Sequence, residues 1–266
     1  MFDHIKDELK YLSERDFSFE GITLPGGSKH RFSENHISRK EWKDRVSPWV
    51  FPYRKKDRLV IMRKDSAKVI FLNGIMTPLS IAQYQCDMLS MMLGEDVELL
   101  HIPQSGILGD LLSCVNDRVL LRPSALVNHC AERIVEKLKR TPRIMVIGYS
   151  HGAIVAGKAM DILRGRLPAS MLSGIHFVSI AGGFRQYRAK NVYAEHFCHS
   201  EDPVCRIGAL SALKPKGKLF VIPRAGHHLV GDYLVGIASG DFGKRSRFYR
   251  RCRGGERFLK NVAEQI

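Results

Sequence analysis

The sequence predicts an α/β fold, in which one domain has a mostly parallel sheet flanked by helices. Short runs of Val, Ile, Leu and Phe alternate with longer segments whose apolar residues recur at the 3.6-residue period of a helix. Several short runs are almost continuously apolar, which is typical of parallel strands covered on both faces. A chain of 266 residues is long enough to bury about three-quarters of its unfolded surface in one core.

Seven segments are predicted as strands, and their alternation with helices favours right-handed crossovers between parallel neighbours. The first two flank only four residues, 64–67, and we expect them to form a hairpin. The predicted strands cover 58–63, 68–72, 97–102, 143–147, 176–180, 191–196 and 218–222.

Three helices have local sequence signals. The first is expected to be capped by Thr77, to have Pro78 at its first helical position and to end at Gly94. The second is expected to open at Pro123 and carries an apolar stripe at helical spacing. The third covers about 151–163.

The distribution of charge suggests three parts. The chain has 42 Lys and Arg against 27 Asp and Glu, and a net charge of +15 with histidines neutral. Eight basic residues and one acid fall in 244–260. We therefore expect a basic N-terminal extension over 1–56, a core over 57–240 and a basic C-terminal tail over 241–266, with a final helical segment within that tail.

Several classes of protein are disfavoured by the sequence. No apolar run approaches the roughly 20 residues of a membrane span, and the first residues have no apolar stretch typical of a Sec signal. The six cysteines form no CxxC pair, and there is no GxGxxG, Walker loop or HExxH. We expect no cofactor and no metal, and a cytoplasmic protein or one exported by a specialised bacterial route.

The most informative motif is Gly148-Tyr149-Ser150-His151-Gly152, a GxSxG pattern between a predicted strand and a predicted helix. A nucleophile elbow places a serine at a sharp strand-to-helix turn, and flanking glycines avoid collisions there. The bare pattern is common, but its position between strand and helix predicts Ser150 as a nucleophile. A simple glycine-rich turn is the alternative.

A serine nucleophile needs a base, and the base needs an acid that orients it. Asp202 follows a predicted strand and is the expected acid, with Glu201 and Asp232 as substitutes. The last predicted core strand leads to His227, the expected base, with His228 as its competitor.

Acyl transfer also needs donors for the oxyanion, and backbone N–H groups supply them in such sites. The residue after the nucleophile, His151, provides one candidate N–H. The second candidate is the N–H of Ile75, which follows Asn73-Gly74 at the end of an earlier predicted strand.

On these motifs the chain resembles the α/β-hydrolase superfamily over about 58–235. Asn73-Gly74 together with Ser150-His151-Gly152 is also similar to a family of uncharacterised chlamydial hydrolase-like proteins. The resemblance implies Ser150 as nucleophile, Asp202 as acid, His227 as base, and the N–H groups of Ile75 and His151 as oxyanion donors.

One departure from the superfamily concerns the lid. Many members insert a helix or a lid before the strand that carries the acid, but here only 181–190 lies at that point. We therefore expect an α/β-hydrolase-like domain with no large lid. The connection is short for a parallel crossover, so either it is a compact turn of helix or the strand order differs.

The leading functional hypothesis is a serine-dependent hydrolase that cleaves an ester or thioester of a small-molecule or lipid acyl substrate. An acyltransferase that uses the same acyl-enzyme is one alternative. The other is a non-catalytic hydrolase-fold protein that binds anionic lipid or nucleic acid through its basic ends. Aromatic residues interleave with arginines in 244–253, and an anionic membrane surface is the favoured partner of that segment, ahead of nucleic acid.

Overall fold

The computed structural model describes residues 60–62, 66–75, 77–103, 124–184, 190–211, 216–223 and 228–264. The predicted N-terminal extension, 1–56, lies outside these residues. The described residues form a seven-stranded sheet with the order β1-β3-β2-β4-β5-β6-β7. Its strands are β1 Val60–Met62, β2 Val69–Leu72, β3 Val97–His101, β4 Ile144–Tyr149, β5 Ile175–Ile180, β6 Tyr193–His199 and β7 Lys218–Ile222.

All neighbouring strands run parallel except β1, which runs antiparallel to β3. Helices follow or connect most of these strands. They are α1 Leu79–Leu93, α2 Ala125–Arg140, α3 His151–Arg164, α4 Ala169–Leu172, α5 Pro203–Ile207, α6 Val230–Ser239, α7 Arg247–Arg251 and α8 Gly255–Ala263. The predicted α/β class with a mostly parallel sheet is confirmed.

The central strands carry the core. Every residue of β2, β3 and β4 is buried, so both faces of the sheet are covered at its centre. Helices α2 and α3 pack against each other, and α1, α6 and α8 form a second group in mutual contact. This arrangement holds the carboxyl ends of the parallel strands at one edge of the sheet, where the candidate site lies.

The predicted hairpin between the first two strands is wrong. Strand β1 pairs with β3, with Val60 opposite His101, and β3 lies between β1 and β2. Strand β2 is fully buried and apolar, and parallel partners, β3 and β4, take both of its edges. No edge of β2 is therefore left for β1.

The helix termini agree with the sequence in part. Gly94 ends α1 with a φ of 68°, as predicted. Pro78 rather than Thr77 occupies the cap position, and the Thr77 hydroxyl donates instead to the carbonyl of Ile75 at 3.1 Å. The side chain of Ser124 caps α2 by accepting from the Val127 N–H, whereas Pro123 lies outside the described residues.

The short connection before the acid-bearing strand joins two neighbours. Strands β5 and β6 are adjacent and parallel, with Ile180 opposite Phe197. The strand order is therefore sequential from β4 to β7, and of the two alternatives for this connection the different strand order is wrong. The structure describes 181–184 and 190–192 of this connection.

The C-terminal segment is packed on the domain, so the predicted boundary at 240 does not mark the end of the folded part. The side chains of Phe248 and Phe258 are almost completely buried. As expected, the segment contains a helix near its end, α8, which contacts α1 and α6. The basic side chains of this segment are therefore carried by an ordered surface.

A buried carboxylate attaches this segment to the sheet. Glu195 of β6 is fully buried and accepts hydrogen bonds from the N–H groups of Arg247 and Phe248, each at 2.8 Å. It also accepts from the Ser246 hydroxyl, and His176 and Tyr193 contribute two further contacts. Burial alone would raise the pKa of Glu195, but the hydrogen bonds from His176, Arg247 and Phe248 outweigh it and lower the pKa to about 2.

We expect Glu195→Gln to destabilise the protein in a pH-dependent way. Because the pKa is lower in the folded state than its ordinary value of 4.5, the carboxylate stabilises the fold above about pH 4.5. That contribution is lost as the pH falls through about 2. The lowered pKa corresponds to a contribution of about 3 kcal/mol to the free energy of unfolding at pH 7, and roughly half of that at pH 3.

The measurement is the free energy of unfolding in urea at both pH values, with Glu256→Gln as the control because Glu256 is exposed on α8. The stability difference between the wild type and Glu195→Gln should narrow at pH 3. If Glu195→Gln and Glu256→Gln have the same free energy of unfolding at pH 7, the Glu195 carboxylate does not stabilise the fold.

Candidate active site

The structure places the GxSxG motif between a strand and a helix, as the sequence predicts. Strand β4 ends at Tyr149, Ser150 follows, and α3 begins at His151. Ser150 has a φ of 54° and a ψ of −117°, a strained backbone conformation for a residue with a side chain, and such strain is concentrated at functional sites. The turn presents the Ser150 side chain at the carboxyl end of β4.

The two glycines of the motif are required by close backbone approaches. A Cβ atom built on Gly148 would lie 2.5 Å from the Cα of Ala153, so a side chain there would collide with α3. A Cβ atom on Gly152 would collide with the carbonyl oxygens of Leu72 and Asn73. The glycines therefore allow α3 to pack directly against β4 and against the end of β2.

Asp202 lies just past the carboxyl end of β6 and is completely buried. It caps α5, because its Oδ1 accepts from the N–H groups of Val204 at 2.8 Å and Cys205 at 3.3 Å. Its Oδ2 faces a histidine, His228, whose Nδ1 lies 2.8 Å away.

The two substitutes for the acid are placed differently. Glu201 has a side chain that is half exposed and pairs with Arg206 at 3.4 Å. Asp232 lies in the first turn of α6 and is half-buried.

His228 stands between the acid and the serine. Its Nδ1 faces Asp202 and its Nε2 lies 3.0 Å from the Ser150 Oγ. A carboxylate can only accept, so Nδ1 carries the proton and the lone pair of Nε2 is directed at the serine hydroxyl. His227, the base expected from the sequence, lies outside the described residues, and the histidine that contacts both Asp202 and Ser150 is its competitor, His228.

The environment of Asp202 keeps it ionised. Burial raises its pKa, but the hydrogen bonds from His228 and Tyr233 and from the Val204 N–H together lower the pKa below its ordinary value. A negative charge on Asp202 therefore faces the imidazole of His228 at neutral pH.

Tyr233 is a site residue that the sequence analysis did not identify. Its hydroxyl donates to Asp202 Oδ2 at 2.7 Å and accepts from the His199 N–H at 3.0 Å. The ring is completely buried, and burial raises the pKa of Tyr233 far above its usual range, so the hydroxyl stays protonated. A buried tyrosine on an apolar helix is an ordinary core residue in sequence, which explains why no signal marked it.

The two expected oxyanion donors flank Ser150. His151 is the first residue of α3, where backbone N–H groups have no intrahelical acceptor. On the other side, a Cβ atom built on Gly74 would lie 3.1 Å from the Ser150 Cβ, so the turn that contains Ile75 passes directly beside the serine.

Asn73 fixes the orientation of that turn. Its side chain is buried, its Nδ2 donates to the Gly74 carbonyl at 2.8 Å, and its Oδ1 accepts from the Ile102 N–H at 2.8 Å. In a trans peptide the N–H points away from the C=O. The Ile75 N–H is therefore directed to the side opposite the Asn73 amide.

Two features are absent from the residues that the structure describes: a group of metal-ligating side chains and a membrane-spanning helix. Within these ranges, no three His, Cys, Asp or Glu side chains are grouped so that they would hold a metal ion. In the same part of the chain, no helix is long and apolar enough to cross a membrane.

Comparison with known proteins gives structural neighbours only. No protein-family model matches the chain, and no curated protein matches it in sequence. Similar solved structures include a cutinase from Trichoderma reesei in complex with a phosphonate inhibitor (16% identity, 84% of this chain, 83% of that chain, TM-score 0.39). An esterase from Pyrobaculum calidifontis is also similar, with 12% identity, 79% of this chain and 79% of that chain covered, and a TM-score of 0.44. A thioesterase from Streptomyces coelicolor has 12% identity, with 91% of this chain and 99% of that chain covered, and a TM-score of 0.39.

Proposed function

We propose that the protein is a serine hydrolase that cleaves a carboxylic ester or a thioester through an acyl-enzyme on Ser150. The observation that carries the proposal is the hydrogen-bonded series Asp202–His228–Ser150, with heavy-atom distances of 2.8 and 3.0 Å. This geometry meets the requirements for an activated serine, namely a base within reach of the hydroxyl and an acid that orients the base.

In the first half of the reaction, the Ser150 Oγ attacks the substrate carbonyl carbon while its proton moves to His228 Nε2. Asp202 holds the imidazole in the tautomer that allows this transfer and stabilises the resulting positive charge. The N–H groups of Ile75 and His151 donate to the oxyanion of the tetrahedral intermediate. When the intermediate collapses, the bond to the alcohol or thiol breaks, and the proton on Nε2 goes to that leaving group.

In the second half, water replaces the leaving group. His228 takes a proton from the water molecule as its oxygen attacks the acyl carbon of the acyl-enzyme, and the second tetrahedral intermediate releases a carboxylic acid. The proton then returns to Ser150. No cofactor, metal or oxidant enters this sequence of steps.

The test of the proposed reaction is turnover of p-nitrophenyl esters and acyl-coenzyme A thioesters of graded chain length. We expect acid release from at least one series, with an optimum chain length that reflects the acyl pocket. Folded protein that hydrolyses neither series would contradict the proposal.

An acyltransferase would share the acyl-enzyme and differ only in the acceptor. Added alcohol or amine would then give a new ester or amide, and the yield of free acid would fall by the same amount. If acceptors leave acid release unchanged, hydrolysis is the reaction.

A second candidate function is binding to an anionic membrane surface. Seven exposed cationic side chains are carried by the packed C-terminal segment, and we call them the basic surface: Lys244, Arg245, Arg247, Arg250, Arg253, Arg257 and Lys260. The Arg247 guanidinium lies 4.0 Å over the ring of Tyr193, which begins β6, whereas Asp202 follows the other end of that strand. This proposed docking face thus lies at the amino ends of the strands, away from Ser150.

We expect the protein to bind phosphatidylserine vesicles but not phosphatidylcholine vesicles, and to be released by salt. Reversing the charges of Arg250 and Arg253 to Glu should weaken binding several-fold. Reversing those of Arg164 and Arg166, which are exposed near the end of α3, changes the net charge equally and should have a smaller effect. If both double variants lose the same amount of vesicle binding, the protein is attracted by its net charge alone. If the protein binds RNA in preference to vesicles, a membrane partner is excluded.

A further inference from the structure

Tyr149 contacts the histidine of the candidate site in two ways. Its hydroxyl donates to the backbone carbonyl of His228 at 2.8 Å. Its ring is stacked on the imidazole, with centroids 5.2 Å apart and an interplanar angle of 24°. The imidazole of His228 is therefore supported through both its backbone and its ring.

The same ring also borders the turn that carries a proposed oxyanion donor. A Cβ atom built on Gly74 would lie 3.0 Å from the Tyr149 Cε1, so the turn packs against the edge of the tyrosine. Only Gly74, without a side chain, allows this approach. Tyr149 thus lies between the oxyanion turn and His228, and it precedes the nucleophile directly in sequence.

We propose that Tyr149 is a positioning residue, which holds His228 in the orientation that places Nε2 against Ser150. The inference rests on the proposed function and adds to it a residue that acts through its contacts with His228. The side chain belongs to the last residue of β4, whose register is fixed by pairing with Ile180. His228, in contrast, follows six residues after the end of β7 and needs an anchor outside its own strand.

The chemistry of the phenol suits this role. Tyr149 is almost completely buried, and burial together with the charge of Asp202 raises its pKa well above the ordinary value. The hydroxyl therefore remains a hydrogen-bond donor over the working pH range of a serine–histidine pair. A displacement of about 1 Å in a reacting group can cost roughly 100-fold in rate, so loss of this anchor should be visible in turnover.

The matched variants are Tyr149→Phe, which removes only the hydroxyl, and Tyr84→Phe, which removes a hydroxyl from a half-buried ring on α1. We expect Tyr149→Phe to lower kcat by about 10- to 100-fold, with KM changed by less than about threefold because substrate contacts are kept. Tyr149→Leu, which also removes the stacked ring, should lower kcat further than Tyr149→Phe does. Tyr84→Phe should behave as the wild type.

A second readout is independent of turnover. The proton between His228 Nδ1 and Asp202 is expected to give a low-field proton NMR signal, since hydrogen bonds to a buried carboxylate are short and protected. In Tyr149→Phe this signal should exchange faster with solvent than in Tyr84→Phe and the wild type.

The outcomes separate the two proposals. If the wild type hydrolyses esters and Tyr149→Phe matches it in both kcat and the exchange of the NMR signal, the positioning role is excluded and the proposed function stands. If no substrate is hydrolysed but the signal is present and exchanges faster in Tyr149→Phe, the positioning role stands and the proposed function falls.

Discussion

Replacing Ser150 with alanine should lower kcat/KM for the best ester or thioester by roughly 10⁴- to 10⁶-fold. The reason is that, in the proposed reaction, Ser150 Oγ forms the bond to the acyl group, and it lies 3.0 Å from His228 Nε2, which would take its proton. The fold should tolerate the change, because Ser150 pairs with Ile180 through its backbone N–H. Steady-state rates and the urea unfolding midpoint, measured together, separate lost chemistry from lost structure.

The matched control is Ser173→Ala, which removes a hydroxyl from an exposed position after α4. It should retain full activity. If turnover survives in Ser150→Ala, the hydrolysis takes place at another site, and an acyl-enzyme on Ser150 is excluded.

Replacing His228 with alanine should cost about 10⁴-fold in kcat, whereas His227→Ala should stay within a few-fold of the wild type. The difference follows from the position of His228, which bridges Asp202 and Ser150 by two hydrogen bonds. The two variants, His227→Ala and His228→Ala, are well matched because the same substitution is made at adjacent positions. Exogenous imidazole should restore part of the activity of His228→Ala, since a small base can enter the space left beside Ser150.

The reverse pattern, with His227→Ala inactive and His228→Ala active, would mean that the loop adopts another arrangement during turnover. The assignment of the base would then return to His227, the residue that the sequence favoured. Loss of activity in both variants, without imidazole rescue of either, would point to a structural role for the loop and contradict the assignment of His228.

The sequence was sufficient for the class of fold because the central strands are apolar throughout. Runs such as Val69–Leu72 and Ile144–Tyr149 are buried on both faces, and that pattern predicts a covered parallel sheet. The pairing of the strands was harder to predict, because the hairpin predicted for β1 and β2 does not form. A short connection suggests a hairpin locally, but the choice of partner for β1 was decided by β3, which lies far along the chain.

The candidate site was predictable where local geometry determines it. Gly148 and Gly152 flank Ser150 because a side chain at either position would collide with neighbouring backbone, and such constraints leave a readable motif. The two adjacent histidines, His227 and His228, have no comparable local signal, because the partners of a catalytic base are distant in sequence. The histidine that contacts Ser150, His228, is held by groups distant in sequence, including Asp202 and the Tyr149 hydroxyl.

The packing of the C-terminal segment is hard to predict from its charge. Eight basic residues in 244–260 predict a basic tail, but Phe248 and Phe258 of this segment are buried against the domain. The partner of the segment, Glu195, is 51 to 53 residues away from its donors in 246–248. A hydrogen-bond set of this separation cannot be read from composition or periodicity.

Activation of Ser150 as a nucleophile can be tested by reaction with a fluorophosphonate, followed by peptide mass spectrometry of the adduct. Such probes phosphonylate a serine only when a base has activated it. We expect one adduct on Ser150 in the wild type, no adduct in Ser150→Ala and slow formation of the adduct in His228→Ala. Folded wild-type protein without an adduct, or an adduct on another serine, would show that Ser150 is not the activated nucleophile.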